Sequence, residues 1–310
     1  MLQRKSALCG AIQSSLKHAI LIPLVITFSC GQQSAPKSVN VNNGTPRATE
    51  SSAPRKVVMF ERELSPEVAA LAQEVEKLYG RGIHSEFKYD WEEGRWAYSD
   101  VDEKGVPEVF LNNKLGFDEE WIAHELLHLR LNARGYGSIY FVSNDPSINV
   151  PRWEELFGGT VRNQINDGIH HYIFRPDMER MGFGRSKRYS SSLITDIESG
   201  SMDHYEKIYL ALSYYRAVLE VGDQGQMDRI TGLYMTKGWD NALRDGMRLV
   251  ELVRGAHLET PEGEMSAFLS VLNATSPGLT QGRIIDWKTQ QLGAFGKRWA
   301  IIELYRIKNP

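Results

Sequence analysis

Apolar residues recur every three or four positions after Ser65, at Val68, Leu71, Val75 and Leu78, which is the spacing of one face of an α-helix. Ser65 can cap it, Pro66 suits its first position, and Gly80 ends it, so a helix is predicted between Ser65 and Gly80. Three short runs follow, Glu86 to Tyr89, Gly94 to Ser99 and Pro107 to Asn112, parted by turn-forming stretches such as Asp102-Glu103-Lys104-Gly105. They predict two or three short antiparallel strands. Asp118-Glu119-Glu120 is an acidic first turn that suits the positive end of a helix, which then runs to about Ala133 before Gly135 and Gly137 break it. Beyond Pro151 nearly everything reads as helix, with threefold and fourfold apolar spacing over 150–174, 203–221, 240–256 and 261–272. The stretch Trp299 to Ile307 fits a strand or a helix equally. A small sheet followed by helices predicts an α+β fold.

The segment after Asp118 is unusual because Trp121, Ile122, Ala123, Leu126, Leu127, Leu129 and Leu131 make it a buried helix, interrupted by His124, Glu125 and His128. Those three residues form the pattern HExxH. Positions 124 and 128 lie one turn apart on one face, so both imidazoles can reach one ion while Glu125 can reach a water bound to that ion. A zinc ion there lowers the pKa of its water and polarises a carbonyl, and Glu125 would take the proton and pass it to the leaving amine. Composition alone yields HExxH in about one or two of every hundred chains of this length, so the apolar setting carries much of the weight. Two histidines and a carboxylate in a core are costly unless paired or metallated. A hydrogen-bonded histidine network is the alternative without metal.

Here the chain resembles the zincin metallopeptidases, in which an edge strand precedes the HExxH helix and a later helix adds a third ligand. The resemblance covers about 106–183 and implies a zinc-dependent peptidase acting on a peptide or protein, with Val109-Phe110-Leu111-Asn112 as the strand along which substrate lies. The metzincin pattern is absent, since Leu131 and Arg134 stand where its Gly and third His would fall, and no Glu-x-x-x-Asp of the thermolysin-like group follows the motif. The subfamily is unassigned. The third ligand is sought in Arg162 to His171, where Asn163, Asp167 and His171 share one face. His171 is expected as the ligand, with Asp167 orienting a ligating histidine or taking the ligand place itself; His170, Glu154 and Glu155 are the remaining sources. Zincin sites often add a group that stabilises an oxyanion, for which Tyr136, Tyr140, Tyr172, Arg175 and Tyr189 are candidates.

Composition narrows the alternatives. A net charge of -3 without a basic run argues against nucleic acid as a partner. The chain's 2 cysteines, Cys9 and Cys30, both lie at the N-terminal end, so the body holds no thiolate ligand or nucleophile. Ser190-Ser191-Ser192 has no base in a recognisable order, and no Gly-rich phosphate loop is present. Arg4, Lys5 and Lys17 precede an apolar run from Ala19 to Phe28, as in an export signal, and that run is short for a membrane span, which needs about 20 residues. Ser29-Cys30-Gly31 resembles the lipobox of bacterial lipoproteins, with Thr27 where an aliphatic residue is usual, and implies a lipid anchor at Cys30 as the sole membrane attachment. An ordinary signal peptide or an uncleaved anchor fits the same residues.

The expected organisation is an export segment over 1–30, a polar tether over 31–55, and a zincin-like metallohydrolase over 56–310. Within the last, 56–149 should hold the small antiparallel or mixed sheet and the HExxH helix, and 150–310 a predominantly helical lobe. Zn2+ is the expected cofactor and the cell envelope, outside the cytoplasm, the expected location. The rival function is a zincin-like protein of the envelope that has lost activity and binds or supports, against which an intact Glu125 speaks.

Overall fold

The computed structural model describes residues 56–89, 96–137, 139–155, 159–183, 187–276, 280–292 and 295–307. The expected export segment and tether lie outside them. Among the described residues the fold is α+β, and no helix is long and apolar enough to cross a membrane.

Helix α1 (Pro66–Tyr79) forms as its periodicity predicts, but its buried face is Val68, Leu71, Ala72, Val75 and Tyr79. Leu78 is turned outward, and Tyr79 takes the inward place because its hydroxyl can donate to the Leu129 carbonyl at 3.0 Å. Ser65 stands at the N-cap without a capping side-chain bond; its backbone N–H donates instead to the Glu119 carboxylate, joining the start of α1 to the start of α2 (Glu119–Ala133). The Asp118 side chain caps α2, accepting from the Glu120 N–H. Leu126 and Leu127 of α2 are wholly buried, each contributing about 1.5–3 kcal/mol relative to exposure.

A two-residue hairpin, β1 (Val58–Met59) and β2 (Arg62–Glu63), precedes α1. The next sheet contains β3 (His84–Lys88), β4 (Ala97–Val101) and β5 (Pro107–Asn112) in the order β3-β5-β4. Two expectations are corrected here. β3 runs parallel to β5, with β4 alone antiparallel, so the sheet is mixed. The strand expected at the edge, Val109 to Asn112, lies in the middle, and β3 and β4 form the two edges. Chain order cannot reveal this insertion, yet the continuous run Val109-Phe110-Leu111 is the signature of a strand covered on both faces.

The helical part comprises α3 (Val150–Trp153), α4 (Gly159–Arg180), α5 (Lys187–Ser199), α6 (Lys207–Glu220), α7 (Gln224–Thr236), α8 (Asp240–Arg254) and α9 (Pro261–Thr275). Ile165 and Ile169 of α4, Leu212, Tyr215 and Leu219 of α6, and Phe268 and Leu272 of α9 make one core. A second gathers Leu193 and Ile197 of α5 with Tyr214 of α6 and Ile230 and Tyr234 of α7.

That part is less purely helical than expected. A second sheet of order β6-β8-β7 joins β6 (Ile139–Val142) to a long hairpin of β7 (Thr280–Leu292) and β8 (Phe295–Arg306). The ambiguous stretch at Trp299 is therefore strand, and its unbroken burial from Ala300 to Leu304 follows from β8 lying centrally. The hairpin's far end returns to the core formed by α1 and α2, where Phe295 meets Tyr79 with ring centroids 4.5 Å apart. Gly105 permits this: its φ is +81° and a Cβ there would sit 2.2 Å from the Leu292 carbonyl oxygen.

Candidate metal centre

α2 presents His124 and His128 on one face, with their Nε2 atoms 3.2 Å apart. α4 crosses nearby and supplies His171, whose ring centroid is 4.6 Å from that of His124 and 5.3 Å from that of His128. One nitrogen from each of the three lies within 4.8 Å of the others, and the group could hold a metal ion. Phe174, three residues beyond His171, packs against all three rings at 5.1–5.3 Å.

The hydrogen bonding around His171 is specific. Its Nδ1 lies 2.7 Å from Oε1 of Glu220, at the end of α6, while its buried Nε2 has no hydrogen-bond partner. A neutral imidazole that donates through Nδ1 to a carboxylate carries its lone pair on Nε2. Burial, and after it the neighbouring His171, holds His124 well below the usual imidazole value; burial and then His124 do the same to His128. That shift favours the neutral ring, the form that ligates a metal.

Glu220 is buried, which works against its charge, but Arg216 and His171 together bring its carboxyl down to about 2. Arg216, one turn earlier on α6, pairs closely with Glu220 and lies 3.2 Å from Asp167. Asp167, expected as an alternative ligand or orienting group, stands outside the three-histidine group and lines the cleft with its carboxylate 3.2 Å from Arg216, and the carboxylate beside His171 is that of Glu220. Glu220 escaped the sequence reading. The one signal for it is an acid four residues after Arg216 in an otherwise apolar helix end, Ala217-Val218-Leu219-Glu220-Val221.

Glu125 lies beside the histidines and accepts a hydrogen bond from the Ser99 hydroxyl of β4 at 2.7 Å. Burial raises its carboxyl to about 7, with Asp167 adding to the rise and Ser99 opposing it. A carboxyl so placed can take and return a proton near neutral pH. The group opens into a cleft of about 940 Å³ whose walls include Trp96, Ser99, Trp121, Phe174, Arg175 and Lys297.

The edge of β4 faces this cleft. The Asn112 N–H donates to the Trp96 carbonyl and the Asp102 N–H to the Val106 carbonyl, each at 3.0 Å. By antiparallel alternation the even-numbered residues of β4 bond to β5, which leaves the backbone groups of Ala97 and Ser99 pointing to the open side.

The other expected residues separate clearly. His170 lines the cleft with its ring centroid 5.6 Å from that of His128 but stands outside the three-histidine group; its Nε2 lies 3.4 Å from the buried carboxylate of Glu264, and Gly137 makes room for it, since a Cβ there would lie 2.5 Å from His170 Cε1. Glu154 pairs with Arg162, and neither Glu154 nor Glu155 lines the cleft. Of the oxyanion candidates, Tyr136, Arg175 and Tyr189 line it, whereas Tyr140 and Tyr172 do not. Tyr136 donates to the Leu258 carbonyl, Tyr189 to the Ser213 carbonyl and Arg175 to the Leu219 carbonyl.

Comparison of the chain with protein-family profiles, curated proteins and solved structures finds no match.

Proposed function

We propose that this chain is a zinc-dependent peptidase of the zincin type. The observation that carries the reading is the buried, unpartnered Nε2 of His171, fixed by Glu220 at the opposite ring nitrogen and gathered with His124 and His128. Such an atom is costly in a core unless an ion uses it. The spacing fits zinc: nitrogens bound tetrahedrally at about 2.0–2.1 Å stand about 3.3 Å apart, against 3.2 Å for His124 and His128. Three protein ligands also leave a fourth position open, as catalytic rather than structural sites do.

His124, His128 and His171 would hold the ion, which supplies an acidified water and an electrophile for a carbonyl. Glu125 serves as the general base, taking a proton at the carboxylate that Ser99 orients and returning it to the leaving amine. The open edge of β4 receives an extended peptide through the backbone groups of Ala97 and Ser99, in the role first expected of 109–112. An exported protein tethered through Cys30 by 31–55 belongs to the same proposal.

Metal analysis of the purified protein tests it. About one equivalent of zinc is expected, lost in His124→Ala, while Glu125→Gln keeps the metal and loses turnover of an unfolded protein such as casein. A fully folded protein that takes up no zinc overturns the reading.

A further inference from the structure

Trp96 and Trp121 stand at the cleft with their indole rings nearly parallel, 11° between planes and 6.1 Å between centroids. Trp121 continues the file inward, meeting the His124 ring edge-on at 5.5 Å. An aromatic path thus leads from solvent to the imidazoles.

Single exposed apolar side chains are ordinary on any surface. Trp96 differs in its setting. It is 43% exposed yet lines the cleft, and Phe174, Met178 and Phe183 line the same cleft from α4 and the turn after it. Its carbonyl is fixed to β5 by the Asn112 N–H, so its position relative to the open edge of β4 is set. A strand added along that edge, bonded to Ala97 and Ser99, brings one of its side chains beside the Trp96 indole. At about 3.3 Å per residue, that side chain falls about two or three residues from the bond lying opposite Ser99 and Glu125.

Resting on the peptidase reading, we propose that the Trp96–Trp121 pair is a specificity subsite that accepts a large apolar side chain, aromatic or branched aliphatic, of an extended peptide substrate. Stacking such a side chain on an exposed indole removes apolar area of both partners from water, and an aromatic ring adds the preference of π-systems for offset or edge contact. Small differences in apolar size already separate substrates by about tenfold or more.

The test uses the zinc-loaded full chain and peptides identical except for Phe, Leu or Ala at one position, scanned along the sequence. In the wild type, kcat/KM for Phe should exceed that for Ala by at least about tenfold at one position. Trp96→Ala should bring that ratio to near one, and Trp96→Phe should restore most of it. Calorimetric binding of the same peptides to Glu125→Gln provides a readout independent of turnover and should show the same order. Equal kcat/KM for all three peptides, or a ratio that Trp96→Ala leaves unmoved, overturns the subsite. Binding that prefers Phe without any cleavage by the wild type keeps the subsite and overturns the peptidase reading. Binding of N-acetylglucosamine oligomers with no discrimination among peptides overturns it in favour of a sugar platform.

Discussion

Replacing Glu220 by Gln separates the carboxylate that orients a metal ligand from one that merely stabilises a core. Gln preserves the volume and an acceptor oxygen but removes the charge beside His171 Nδ1, now 2.7 Å away. Losing such an outer partner weakens metal binding by about 10–100-fold, or about 1.4–2.7 kcal/mol. The substitution also deprives Arg216 of its closest counter-charge. Breaking one side of a buried ion pair costs about 3–5 kcal/mol when nothing replaces it. Here Asp167 remains 3.2 Å from Arg216, and the Gln oxygen still accepts, which sets the loss at about 2–3 kcal/mol. In a folded body of this size that lowers Tm by about 4–12 °C. Zinc affinity is measured by competition with a fluorescent chelator, and stability by thermal unfolding with EDTA and again with excess zinc. Both should fall in Glu220→Gln, whereas Asp167→Asn should lower stability while changing zinc affinity less than about threefold. A Glu220→Gln protein that melts earlier yet binds zinc within twofold of wild type refutes the assignment, because His171 would then need no carboxylate to act.

Phe295→Ala should cost about 3–5 kcal/mol in urea-induced unfolding, since the ring is buried against Tyr79 where the hairpin end meets the core formed by α1 and α2. A loss under about 1 kcal/mol would show that the hairpin end is not held there. Cys30→Ser should abolish incorporation of labelled palmitate in a bacterial host and release the protein from the membrane fraction; labelling that persists rules out Cys30 as the anchor.

The helices were legible where their own side chains decide them. α2 and α9 carry capping side chains, α1 ends on a left-handed Gly80, and these three and α8 have regular apolar spacing, so local chemistry and tertiary packing agree. α7 went unnoticed because among its residues only Ile230 and Tyr234 are buried, too few to set a period, and Gly225 and Gly232 weaken it further. Strand order was not legible. β3, β4 and β5 follow one another in the chain, and placing the last between the first two depends on long-range pairing that no local pattern encodes. β7 was missed for a related reason: as an edge strand it has mostly exposed residues, and Gln281, Lys288, Gln290 and Gln291 give it no apolar face.

At the site, spacing identified the two histidines of α2 because one turn of one helix sets their separation. His170 and His171 posed a different problem, since neighbours in sequence are equally available until the helix turns them about 100° apart. Each then finds its own buried carboxylate, His170 that of Glu264 on α9 and His171 that of Glu220 on α6. The contrast between the two separates the one that joins His124 and His128 from the one that does not. Neither Nε2 has a hydrogen-bond partner, but that of His170 lies 3.4 Å from the Glu264 carboxylate, whereas His171 spends Nδ1 on Glu220 and stands within the group that it forms with His124 and His128. Which histidine joins His124 and His128 is therefore set by where α6 and α9 end up against α4, and Asp167, which shares a face with His171, pairs with Arg216 of the same helix that supplies Glu220. On the proposed reading, α6 acts on the centre twice, through the Glu220 carboxylate at Nδ1 of His171 and the Arg216 guanidinium at Asp167.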